Sequence, residues 1–99
     1  TQKVGSSYRI TLWNKKLNQA GFTSGTPIKI ELINGGRIII TRDSNAKRRV
    51  SKVMNHGQEL PVIDIKINKA LPLDQIFNKG ELITVELSNG LIEIYKKEF

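Results

Sequence analysis

The sequence predicts a mainly β domain with short helices, and three observations predict it. Apolar residues alternate at period two in several short runs, Asn-Gly and Gly-Gly pairs separate such runs, and the pattern of residues 8–42 starts again near residue 60. At 99 residues the chain makes one small domain, long enough to bury roughly 60–65% of the surface its unfolded form exposes.

Residues 1–7 are polar with one glycine and read as a frayed end or an arm. Tyr8, Ile10 and Leu12 then alternate with Arg9 and Thr11, which predicts a half-buried strand whose Arg9 faces solvent or ligand. From Trp13 to Ala20 the spacing turns helical, with Trp13, Leu17 and Ala20 on one stripe, Asn14 as N-cap and Gly21 as the stop. A helix that short needs its stripe packed on a sheet, so Trp13 and Phe22 are expected in the core. Lys15 and Lys16 stand in the first turn, against the helix dipole. Either they join the free N–H groups there in a phosphate site, or they are simply exposed.

Thr23–Pro27 is a turn built on Gly25. Ile28, Ile30 and Leu32 alternate with Lys29 and Glu31 as the next strand, and Asn34-Gly35-Gly36 predicts a tight hairpin, because these residues accept the positive φ of primed turns. Arg37–Thr41 returns as a strand. Its three consecutive isoleucines, 38–40, imply burial on both faces or an outer face that meets a partner. Residues 43–58 lack sustained periodicity and carry Lys47, Arg48, Arg49 and Lys52. They read as a connector with a basic face, with room for a short helix over 44–53 and with His56 in a turn.

Nine identities recur at a single offset of 55: Ile10/Ile65, Phe22/Phe77, Gly25/Gly80, Ile28/Ile83, Glu31/Glu86, Leu32/Leu87, Asn34/Asn89, Gly35/Gly90 and Ile39/Ile94. They divide the single domain, 1–99, into repeat one (8–42), a basic linker (43–59) and repeat two (60–97). Two copies make a pseudo-twofold pair, a homodimer fused into one chain. The second copy keeps scaffold positions and changes its surface: Asp64 stands opposite Arg9, Ala70 opposite Lys15, Leu71 opposite Lys16 and Asp74 opposite Gln19. Its helix starts near Pro72, which suits a first turn.

Charge follows the same division. Residues 1–57 hold 11 Lys and Arg against Glu31 and Asp43, 11 − 2 = +9, whereas residues 58–99 hold 5 Lys against 7 acids, 5 − 7 = −2. Either the first half meets a polyanion, nucleic acid above all, or it is a solvated basic surface. With no cysteine and one histidine, a thiolate site, a histidine-built metal site and a histidine triad are not expected. Asp43, Glu59 and Asp64 are scattered and no phosphate-binding glycine fingerprint occurs, so no enzyme activity and no cofactor are expected. No apolar run approaches the roughly 18 residues that cross a bilayer. The expected compartment is the cytoplasm, without membrane association.

The run RITLWNKKLNQAGFTSGTPIKIELINGGRIIIT resembles the SymE-like branch of the AbrB/MazE (SpoVT-AbrB) swapped-hairpin superfamily. It shares an initial I-T-L strand, a short helix closing in A-G-F, a glycine three positions later, an alternating strand, a glycine turn and a final I-I-T strand. The second copy, IDIKINKALPLDQIFNKGELITVELSNGLIEIYKK, is similar to the more general AbrB form. The resemblance implies a small β-barrel of two interleaved hairpin units, here within one chain, and DNA binding by a transcriptional regulator or autoregulating antitoxin. It implies DNA contacts for Arg9, Lys15 and Lys16. Arg42, Lys47, Arg48, Arg49 and Lys52 join them as nucleic-acid candidates on charge alone. The first expectation is thus a DNA-binding regulator, with RNA as a possible ligand, in a monomeric pseudo-dimer or a homodimer. The others are a protein-interaction module, antitoxin-like or a phage or plasmid inhibitor, docking at Ile38–Ile40 and the tail 95–99, and a SymE-like RNA-acting toxin.

Overall fold

The computed structural model describes every residue except 1, 6, 7, 14, 34, 35, 69, 70, 98 and 99, and for Lys3 the backbone alone. The elements run β1 (Gln2–Lys3), β2 (Ile10–Trp13), α1 (Lys15–Gln19), β3 (Ile28–Ile33), β4 (Arg37–Arg42), β5 (Ser51–Asn55), β6 (Gln58–Ile65), α2 (Leu73–Ile76), β7 (Leu82–Ser88) and β8 (Leu91–Lys96). The strands form two antiparallel sheets, one of five strands in the order β1-β7-β8-β4-β3 and one of three in the order β2-β6-β5. The fold is therefore mainly β with short helices. Among the described residues no strand pairing closes the sheets into the expected barrel. β1 covers part of β7 and residues 48–50 run along the start of β3, while the outer strands of the smaller sheet are β2 and β5.

Both hairpins form where alternation and turn chemistry place them. β3 pairs β4 with Ile33 opposite Arg37, and β7 pairs β8 with Ser88 opposite Leu91. The residues 34 and 35 of the expected primed turn lie outside the described ones. The first turn is one residue longer than the second, which shifts the return strands. Ile30 faces Ile40 and Val85 faces Ile94, so Ile94 corresponds to Ile40, 54 positions away, and not to Ile39. The isoleucine run follows suit: Ile38 and Ile40 are buried, whereas Ile39 is half-buried on the other face.

Two segments without readable periodicity are strands. The amino-terminal arm is β1, with Gln2 opposite Ile83 and Val4 buried. The linker holds no helix. Asp43–Ala46 is a turn in which Asp43 accepts the Asn45 N–H, and Ser51–Asn55 is β5, joined to β6 through His56 and Gly57. Those two turn residues have φ of 51° and 75°, the left-handed pair a two-residue primed hairpin requires. Val50 repeats the bonding of Val4: the Val4 N–H donates to Glu81 and its carbonyl accepts from Gly80, while Val50 does the same with Thr26 and Gly25.

Helix α1 is shorter than its spacing implies. Trp13 ends β2 instead of starting the helix, and its side chain is 51% exposed, not in the core. Leu17 and Ala20 are buried. The helix stops in a Schellman arrangement, with Phe22 N–H donating to the Leu17 carbonyl, Gly21 N–H to that of Asn18, and Gly21 at φ 89°. The expected N-cap, Asn14, lies outside the described residues.

One core serves both halves. Ile10, Phe22, Ile28, Ile38 and Ile40 are buried in the same cluster as Ile65, Phe77, Ile83, Ile92 and Ile94. Alternation in β2 and β6 sends Ile10, Leu12, Ile63 and Ile65 into it, which turns Thr11, Trp13, Val62 and Asp64 to the opposite face of the smaller sheet.

Candidate nucleic-acid interface

The eight basic candidates do not form one face. Arg9 is exposed, as the alternation implies, and it is paired. Its Nε donates to Asp64 Oδ1 at 2.7 Å and its Nη2 pairs with Asp64 Oδ2, so the residue that replaces it in the second copy is its ion-pair partner. The antiparallel register sets Thr11 opposite Asp64, and Arg9, two residues before Thr11 on the same face, reaches that carboxylate diagonally. Thr11 Oγ1 also donates to Asp64 at 3.1 Å, and Arg48 Nη2 donates to the Asp64 backbone carbonyl. Arg49 leaves this cluster, because its Nη1 donates to the Gly25 carbonyl at 2.9 Å. Lys47 is exposed near the 43–46 turn.

The Asp64 carboxyl is held below the usual carboxylate range. The Arg9 hydrogen bond is the largest cause, partial burial opposes it, and Thr11 and the charges of Arg9 and Lys66 act with Arg9. A depressed folded-state pKa makes the pair's contribution complete above the unfolded value of about 3.9 and lost as pH falls through the lower folded value. The expected result is that Asp64→Asn lowers the thermal midpoint above about pH 4 and that the gap to the parent closes in stronger acid. Half of the Arg9 side chain is exposed, so solvent screening keeps the gap small. Calorimetry across pH 2.5–6, roughly the carboxylate titration range, measures it.

The feature that spacing alone misplaces is Trp13. Trp13 borders two recesses. The first is a groove of about 690 Å³ between β2 with α1 on one side and β7 on the other, walled by Arg9, Thr11, Trp13 and Lys16 and floored by apolar residues that include Leu17 and Val85. Gln2 spans it, donating from Nε2 to the Thr11 carbonyl at 2.7 Å. The second recess, on the outer face of β2-β6-β5, brings Trp13 beside Lys52, Val53 and Met54. Met54 is 64% exposed and Val53 40%. The sequence signal for the Trp13 position is the alternation of Tyr8, Ile10 and Leu12, which carried one residue further turns Trp13 outward, whereas helical spacing from Trp13 to Leu17 points inward.

Lys16 also borders a smaller recess with Gln19 and Asn89. Arg42 reaches that corner, its Nη2 3.5 Å from Asn89 Oδ1 and its guanidinium against Gly21 and Gly90. A basic path thus runs from Arg9 through Lys16 to Arg42, with Trp13 and then Lys52 on its other side. Lys15 is exposed on α1. The helix itself has five residues, Lys15–Gln19.

The opposite face of the larger sheet has another character. Glu86 and Glu93 alternate with inward-facing neighbours and so point away from the groove. Tyr95 donates its hydroxyl to Glu86, and Arg37 lies 4.4 Å over the Tyr95 ring with its Nη1 2.8 Å from Glu93. The Glu86 hydrogen bond raises the Tyr95 pKa. Among the described residues no cluster of metal-ligating side chains occurs, and no helix is long and apolar enough to cross a membrane. Compared with protein-family models, with curated proteins and with solved structures, the chain has no match.

Proposed function

We propose that this chain is a DNA-binding regulator of the AbrB-like, swapped-hairpin type, and that it holds nucleic acid along the Arg9–Lys16–Arg42 path beside Trp13. The observation that carries the reading is the grouping of arginine and lysine from the residue before β2, from α1 and from β4 around one exposed aromatic, on the side away from Glu86 and Glu93. Basic side chains supply sequence-independent attraction to phosphates, and an arginine that reaches a groove adds base discrimination.

The pairing supports a swapped-hairpin pseudo-dimer without barrel closure. Ile10 faces Ile65, its counterpart at offset 55, and Ile39 faces Glu93, its counterpart at offset 54. A twofold axis would cross each sheet at such a self-pair. Residues 2–4 lie on β7 of the second repeat, and residues 48–50 lie beside β3 of the first. Repeat two then begins at about residue 48, with β5 and the start of β6 as an insert and the end of β6 as the counterpart of the β2 region.

Selection of bound sequences from random DNA and RNA pools, at low and at moderate salt, tests the function. Enrichment of a DNA motif is the expected result. Enrichment of RNA alone favours the RNA-acting reading, and binding to neither pool at low salt overturns the proposal. The protein-interaction reading keeps one observation in its favour: Val53 and Met54 are exposed on β5, an edge strand. Recovery of a stoichiometric, nuclease-insensitive protein partner would shift the balance to it.

A further inference from the structure

Resting on the nucleic-acid reading, we infer that the groove beside Trp13 takes an unpaired nucleotide, with the base stacked on the indole and its flanking phosphates held by Arg9 and Lys16. Phosphate attraction alone does not choose between single and double strands, because both present the same charged backbone. The indole does choose. In a duplex the faces of the bases are stacked on one another, so an aromatic platform at the protein surface is useful only to a base that has left the stack.

Three features of the site suit that ligand. The indole is half exposed although it ends a strand whose other large residues, Ile10 and Leu12, are buried. Its groove, about 690 Å³, lies within the roughly 300–1,000 Å³ that accommodates a small organic group. The floor is apolar, from Leu12, Leu17, Val85 and Leu87, while Arg9 and Lys16 stand at the wall, the division a flat base with charged neighbours requires. Asp64 is the acid nearest Arg9, and it engages only Nε and Nη2 of the guanidinium. Nη1 carries two further donor hydrogens. A protein partner would fit the indole equally well but would face a rim whose charge favours a polyanion, which decides for nucleic acid.

The chain has a single tryptophan, so its fluorescence reports on this site directly. The full chain is titrated with a short oligothymidylate, an oligouridylate and a DNA duplex of equal length. Single strands are expected to quench the emission and to bind at least about tenfold more tightly than the duplex; the two single-strand arms tell DNA from RNA. Trp13→Ala is expected to weaken single-strand binding about 5- to 150-fold, read by anisotropy of labelled oligonucleotide, whereas Trp13→Phe retains most of it. Duplex binding equal to or tighter than single-strand binding, or a Trp13→Ala variant that binds single strands as the parent does, overturns the inference and leaves the nucleic-acid reading standing. Binding to none of the three overturns both.

Discussion

Phe22→Ala and Phe77→Ala are each expected to lower the unfolding free energy by about 3–5 kcal/mol, and each to unfold the whole chain in one transition. The two rings are among the largest fully buried side chains, at 0% and 2% exposure, and they lie in a single apolar cluster although 55 residues separate them. A chain of this length has a total stability of roughly 5–15 kcal/mol, so either truncation removes a large share. Urea denaturation followed by circular dichroism and by Trp13 emission checks it. Trp13 belongs to repeat one and Phe77 to repeat two. Coincident transitions for Phe77→Ala mean that the halves share their core. If the circular dichroism changes while the Trp13 signal stays native, the halves are separate units and the interleaved reading fails.

The parts of this fold that the sequence makes legible are those in which one strand has enough residues to show a face. β3, β4, β7 and β8 each run six or seven residues, and their alternation and turn residues suffice to place both hairpins. β1 has two residues, so no period exists in it to detect; it becomes a strand because β7 offers an unpaired edge. β5 shows mostly exposed side chains, which removes the contrast that marks a strand facing a core. The one-residue difference between hairpin turns leaves sequence identity at Ile39 and Ile94 while structural equivalence lies at Ile40 and Ile94. Of the site, charge identifies the residue types but not their company. Arg9 meets Asp64 only through the β2–β6 register, Arg49 is drawn to a carbonyl in the Gly25 turn, and Trp13 is turned outward because β2 extends one residue farther than helical spacing suggests.

Removing the cations of the path should flatten the salt dependence of binding, and the amount is predictable. Each phosphate neutralised contributes about −0.9 to the slope of log K against log salt on duplex DNA and about −0.7 on single strands. A chain carrying Lys16→Ala, Arg42→Ala and Lys52→Ala is therefore expected to show a slope shallower by about 2–3, with affinity reduced about three- to fivefold per lost contact near 0.15 M salt. The same measurement on Lys29→Ala with Arg37→Ala provides the contrast. These residues pair with Glu31 and Glu93 on the outer face of the larger sheet, and their loss should leave the slope unchanged. Arg9 is kept in both variants because its removal would leave the Asp64 carboxylate without its principal partner and mix stability with binding. Thermal midpoints within a few degrees of the parent's establish that each variant is folded. An equal slope in all three proteins would mean that the charge excess of the first half acts only as a diffuse field, and that the groove beside Trp13 is not where the backbone lies.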